Sequence, residues 1–195
     1  MFSNTLNILI LFNILILLTS RYFYVSYKMK TYLYDFLPNP HKNLGRKGDV
    51  CPFMKKALKL NSVEVKYYPL IFFEKTLENI ILNNFEKIRN KNIYNSIIMI
   101  FPDTQTAKIL KIQKKLKKYI VSEGYMIGEF YQNNLQTGLH NDNFFPLQTV
   151  VSCIALRKMV VGDKIFLNSE KYEETIRKEY MKYYNQFFNP AKLIS

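Results

Sequence analysis

Tryptophan is absent, and only two cysteines and two histidines occur in 195 residues. Cys51 and Cys153 lie far apart and form no CxxC pair. They supply neither a disulfide framework nor a zinc site, and a reducing compartment is the simpler setting. His41 and His140 are distant too. No HExxH pattern and no facial-triad spacing appears, which argues against a metal centre held by protein ligands alone. Acidic residues are scarce, 15 against 28 Lys and Arg, giving a formal net charge of +13. No internal repeat is visible.

That charge invites a nucleic-acid or anionic-membrane partner. The excess is lysine, though, and it is spread along the chain beside many Asn, Ile and Tyr. The densest run, residues 108–120, places Ile109, Leu110, Ile112, Leu116 and Ile120 at helical spacing. Its lysines fall mostly on the other side, as on a solvated helix face. No stacking-aromatic motif or recognition-helix signature accompanies them, so nucleic acid is not the expected partner.

Residues 6–18, LNILILFNILILL, form an apolar run shorter than the ~20 residues that span a bilayer comfortably. Three readings stay open. It is a signal peptide without a basic flank or a clean cleavage site. Or it is an anchor, with Arg21, Lys28 and Lys30 holding its C-terminal side in the cytoplasm. Or it is an extension ahead of a start at Met29. The expected division is an extension over 1–28 and one α/β domain over 29–195. The expected location is the cytoplasm, with membrane association through residues 6–18.

Within the domain, Pro38, Pro40, Gly45 and Gly48 mark an irregular loop. Pro52 opens a helix. Residues 63–73 read as a strand that Pro69 confines to an edge or bulge. Leu77, Ile80, Ile81, Phe85 and Ile88 recur as in a helix. Residues 96–101, SIIMIF, suit a central strand buried on both faces. Asp103 or Thr104 is the expected N-cap of the lysine-rich helix. Residues 125–131 and 149–156 read as two more strands, and 169–188 as a Tyr-rich helix. The alternation predicts a single mixed sheet of about four to five strands with helices packed over it.

Three motifs carry the polar residues. PHKNLGRKGDVCPF, residues 40–53, gathers His41, Arg46, Asp49 and Cys51 at a helix start. Backbone donors and the helix dipole there suit an anion, Arg46 can grip it bidentately, and a Cys51 thiolate would be stabilised. A structural turn with a buried Cys explains the same residues. GEFYQNNLQTGLHNDNFFPL, residues 128–147, places Glu129 on a strand and His140 and Asn141 in a long polar loop. His140 suits a general base or an axial haem ligand oriented by Glu129, or a loop hydrogen-bonder. In IALRKMVVGD, residues 154–163, Arg157 either reaches a ligand or pairs with Asp163.

These blocks resemble an uncharacterised bacterial domain-of-unknown-function family with patterns PHxxLGRxGxVCPF, GEF, GLHNxxFxPL and AxRxMVxxD. The resemblance covers residues 33–185 and implies a stand-alone domain associated with secondary-metabolite gene neighbourhoods. The chain departs from the pattern at Gln148 and Thr149, where an Arg and a Ser-Pro pair are usual. A fainter likeness, in the Pro/Cys turn and element order, is to the YqcI/YcgG family, some of whose members are haem-dependent oxygenases. Together these imply a small tailoring oxidoreductase acting on a polar metabolite. His140, Glu129 and Cys51 would be its catalytic residues, and His41, Arg46, Asn141 and Arg157 would hold an anionic small molecule. Haem is the cofactor to test first, with His140 or Cys51 as axial ligand. The alternatives are a non-catalytic binding or accessory module and a membrane-tethered domain.

Overall fold

The computed structural model describes residues 2–189, with side chains from Ile8 onward. Met1 and residues 190–195 of the two expected segments lie outside the described residues, as do the side chains of Leu6 and Asn7.

One sheet organises the chain, in the order β1-β2-β4-β3. It comprises β1 (Val63–Tyr67), β2 (Ser96–Phe101), β3 (Tyr125–Phe130) and β4 (Ser152–Lys158). β1 and β2 run parallel, and β4 is antiparallel to both β2 and β3, so the sheet is mixed. The uninterrupted apolar run of β2 follows from its central place, with all six residues buried. β1 stops at Tyr67, short of the expected 73. Pro69 has no N–H to give a ladder, and Leu70 takes a positive φ of 57° that ends extended geometry.

Strand alternation divides the core. Ile97, Met99, Phe101, Ile127, Ile154 and Leu156 face α3 (Glu74–Ile88) and α4 (Thr106–Ser122). Ile98, Ile100 and Cys153 face the other way, towards α1 (Phe2–Lys30) and α2 (Pro52–Lys59). A third cluster joins Val121 of α4 to Leu167 of α5 (Lys164–Leu167) and Tyr180 and Tyr184 of α6 (Glu174–Phe188).

The residue 28/29 boundary falls inside one continuous helical rod. α1 runs without a break into a π-helical turn over Thr31–Phe36, where the Leu37 amide donates to the Tyr32 carbonyl five residues back. Val25, Met29, Leu33 and Leu37 line one side of the rod and are buried in the core. The other end differs. Every described residue from Ile8 to Leu18 is exposed. Within that apolar stretch and just after it, Asn13, Thr19 and Ser20 each donate to a helix carbonyl three or four residues back.

Candidate functional site

The first two motifs fold against each other. His41 caps a short 3-10 turn over Lys42–Leu44, its Nδ1 accepting from the Asn43 amide at 3.2 Å. Its ring stacks on Phe144 at 5.0 Å and meets Phe36 edge-on at 5.5 Å. Asn141 donates to the Asn43 carbonyl at 2.8 Å, and its side-chain oxygen accepts from Asn143 at 2.9 Å. Gly45, at φ +75°, lies so close that a Cβ there would run into the His140 carbonyl. Arg46 turns back onto its own loop, donating to the carbonyls of Lys47 and Asp49, each at 2.9 Å. His41, Arg46 and Asn141 are thus committed to joining and shaping two loops. The His140 side chain is exposed at this junction.

Cys51 and Arg157 come together elsewhere, at a cavity of about 70 Å³ between the π-helical turn, α2 and the sheet. Tyr32, Ser96, Phe130 and Cys153 also line it. Cys51 stands at the N-cap of α2. Burial pushes its thiol pKa up, against the lowering influence of the Met54 amide and Arg157. The expected thiolate is therefore not favoured, because desolvation outweighs the helix terminus. Burial pushes the Cys153 thiol up to about 12.

Arg157 makes the salt bridge that was one of its two sequence readings. It donates to both Asp163 carboxylate oxygens, at 2.7 and 2.5 Å, while its guanidinium lies 4.7 Å over the Phe53 ring. Burial opposes its charge, and Asp163 more than offsets that, leaving the guanidinium above its ordinary pKa. With Arg46 tied to its own loop and Arg157 matched by Asp163, neither expected anion-holding cation is free of a protein partner.

Ser96 lies outside all three polar motifs. It opens β2 on the same side as Ile98 and Ile100, and it is one of the residues that line the cavity. The residue is 6% exposed, and its Oγ is the one buried side-chain polar atom without a hydrogen-bond partner among the described residues. Its signal was period-two alternation, which puts a hydroxyl on a face otherwise filled by Ile.

Glu129 does not join this site or His140. Alternation turns it, with Ile127, to the opposite face of the sheet. There it acts on Lys117 of α4 and Tyr172, which are joined by a 2.7 Å hydrogen bond. His140 instead has its backbone against Gly45. The expected Glu129-oriented imidazole is therefore not formed. The residues present do not fit haem either. The space beside Cys51 is too small for a tetrapyrrole, and His140 stands in solvent rather than over a cavity. A second, more open cavity of about 310 Å³ is lined by Lys28, Tyr32, Gln132, Asn133, Gln148 and Thr149 among others, with Tyr32 common to both.

The family described as Domain of unknown function (DUF6875) matches residues 27–193, and the chain belongs to that family. Among curated proteins and among solved structures, none matches the chain.

Proposed function

We propose that the domain binds a small polar molecule in the cavity between Cys51, Ser96 and Arg157. The observation that carries this reading is the Ser96 hydroxyl, buried without a protein partner at the cavity wall. A buried polar group left unpaired costs about 1–3 kcal/mol, so its retention is explained by a ligand that completes it. A volume of about 70 Å³ suits a few heavy atoms, or the polar tip of a longer molecule. Because Asp163 already matches Arg157, hydrogen bonding rather than net charge would select the ligand. Cys51, protonated at neutral pH, serves as a thiol contact in this binding-module reading. A tailoring reaction at the site would need another group to activate it.

The test is a thermal-shift screen of small alcohols, amides and carboxylic acids on the full chain in detergent, run beside Ser96→Ala. A compound that raises the melting temperature of the parent and not of the variant is expected. If Ser96→Ala is less stable than the parent without ligand, the hydroxyl has a partner already and the proposal fails.

A second reading has its own observation and is compatible with the first. α1 is long and apolar enough to cross a membrane, and its residues 8–18 are covered by nothing among the described residues. We propose that it tethers the domain to a bilayer, with Arg21, Lys28 and Lys30 keeping the domain on the cytoplasmic side. Its internally bonded Asn13, Thr19 and Ser20 present few unpaired donors to lipid. Vesicle flotation should carry the full chain and leave a chain beginning at Ser20 behind; equal behaviour rules the tether out.

A further inference from the structure

We infer that the loop Leu70–Phe73 is a second membrane contact, dipping into the bilayer interface beside α1. The inference rests on the tether reading above and adds a site that it does not contain.

Topology brings the loop to the right place. β1 and β2 are parallel, so the segments that leave them emerge at one edge of the sheet. α1 crosses that same edge. Arg21 pairs with Asp103 at 3.2 Å and donates to the Pro102 carbonyl at 3.0 Å, just beyond β2. Tyr22 packs on Tyr67, the last residue of β1, at 5.3 Å. N-terminal to this crossing the helix leaves the domain. At 1.5 Å per residue, Tyr22 lies only about 6 Å along the axis from Leu18, the end of the apolar stretch. The loop after β1 therefore sits at the level where the helix would meet headgroups.

The loop is built to present apolar groups there. Leu70, Phe72 and Phe73 are 61%, 61% and 74% exposed, while Ile71 between them packs on the core. Two hydrogen bonds from the α4 side fix this arrangement: Thr104 donates to the Ile71 carbonyl at 3.3 Å and Lys108 to the Phe72 carbonyl at 2.8 Å. Leu70 is held at a positive φ, a conformation that costs a non-glycine residue and here gives its side chain no burial in return. Adjacent exposed aromatics on a pinned loop mark an interaction surface rather than ordinary surface scatter. On α1, Tyr22, Phe23 and Tyr24 are exposed just beyond the apolar stretch, as in an interfacial aromatic belt. Beyond Phe73, Glu74 is paired with Lys111 at 2.7 Å and Lys75, its side chain 76% exposed, lies 3.8 Å from Glu78, so no unmatched carboxylate stands between the loop and an anionic headgroup. Continuity with the apolar helix, and a net charge of +13 that an anionic surface attracts and a second copy of the chain repels, commit the surface to an anionic bilayer.

The absence of tryptophan makes the test clean. Two variants of the full chain, Phe12→Trp and Phe73→Trp, each carry a single indole and are reconstituted in phosphatidylcholine/phosphatidylglycerol vesicles. The lipids carry bromine either near the headgroup or at the chain ends, and circular dichroism checks that each variant is folded. The expected result is quenching of the helix indole in Phe12→Trp by both lipids. The loop indole in Phe73→Trp should shift to the blue and be quenched by headgroup-proximal bromine. Quenching of the helix indole with no quenching of the loop indole overturns the loop inference and leaves the tether standing. A blue shift of the loop indole without quenching reports burial against protein, such as a second copy, and also overturns it. No quenching of the helix indole overturns the tether and this inference with it.

Discussion

Asp163 is 1% exposed, accepts two bonds from Arg157 and a third from the Val160 amide at 2.8 Å. Removing one member of such a pair leaves the other charge buried. Asp163→Ala should therefore cost about 3–5 kcal/mol in urea denaturation, and the double change Arg157→Met with Asp163→Leu much less. Ser96→Ala should go the other way, gaining roughly 1 kcal/mol by deleting an unpaired hydroxyl. The Cys153 thiol gives a pH prediction. Its pKa of about 12 in the fold lies above the ordinary 9.0, so between those values the folded state holds a proton that the unfolded state has released. Stability is then complete below about pH 9 and falls as pH rises towards 12. Cys153→Ala should flatten that decline in denaturation midpoints measured across the range. At this scale the sequence was legible where partners are close, as with Arg157 and Asp163 six residues apart. It was not legible for Glu129 and His140. A strand's two-residue period sends Glu129 to one face, and only the tertiary course of the long loop places His140 against Gly45.

Among the elements, periodicity located the helices and the all-buried β2, while the ends shifted for identifiable reasons. Asp103 and Thr104 looked like caps for α4. Asp103 instead pairs with Arg21, and Thr104 bonds to Ile71. α4 begins at Thr106 with Gln105 as an N-cap that makes no side-chain bond. β4 begins at Ser152 rather than 149, because Thr149 is spent on the loop, its amide donating to Tyr131 and its hydroxyl to the Val151 carbonyl. Lys111, Lys114, Lys115 and Lys118 of α4 form the solvated face that their spacing implies, while Lys117 turns inward to Tyr172. Lys111, Lys115 and Lys118 pair with Glu74, Glu78 and Glu179 at 2.7, 2.8 and 2.8 Å. The lysine ends of these pairs are all more than half exposed, so the pairs are weak and screened. Replacing all three lysines with alanine should lower the melting temperature slightly at low salt, and the difference should vanish in concentrated salt.

For the whole molecule, the mixed sheet under helices and the family are the parts the sequence made plain. What it hid was the continuity of α1 with the core, because an apolar run reads the same whether lipid or protein covers it. Val25 is 3% exposed, and Ser26 lies 3.2 Å from the Tyr67 hydroxyl. A chain starting at Met29 should therefore be less stable than one starting at Ser20, by at least the roughly 1.5–3 kcal/mol that burying a Val-sized side chain is worth. Comparing the two by chemical denaturation checks this directly.

No hinge interrupts the rod between Leu18 and the π-helical turn that carries Tyr32 and Leu33. A helix is a stiff lever, and this one ends in the wall of the cavity. If its far end is set in lipid, the domain rides at a fixed height and azimuth instead of swinging on a leash. Changes in bilayer thickness that tilt the lever would then press on the cavity mechanically, with no flexible joint between them to absorb the motion.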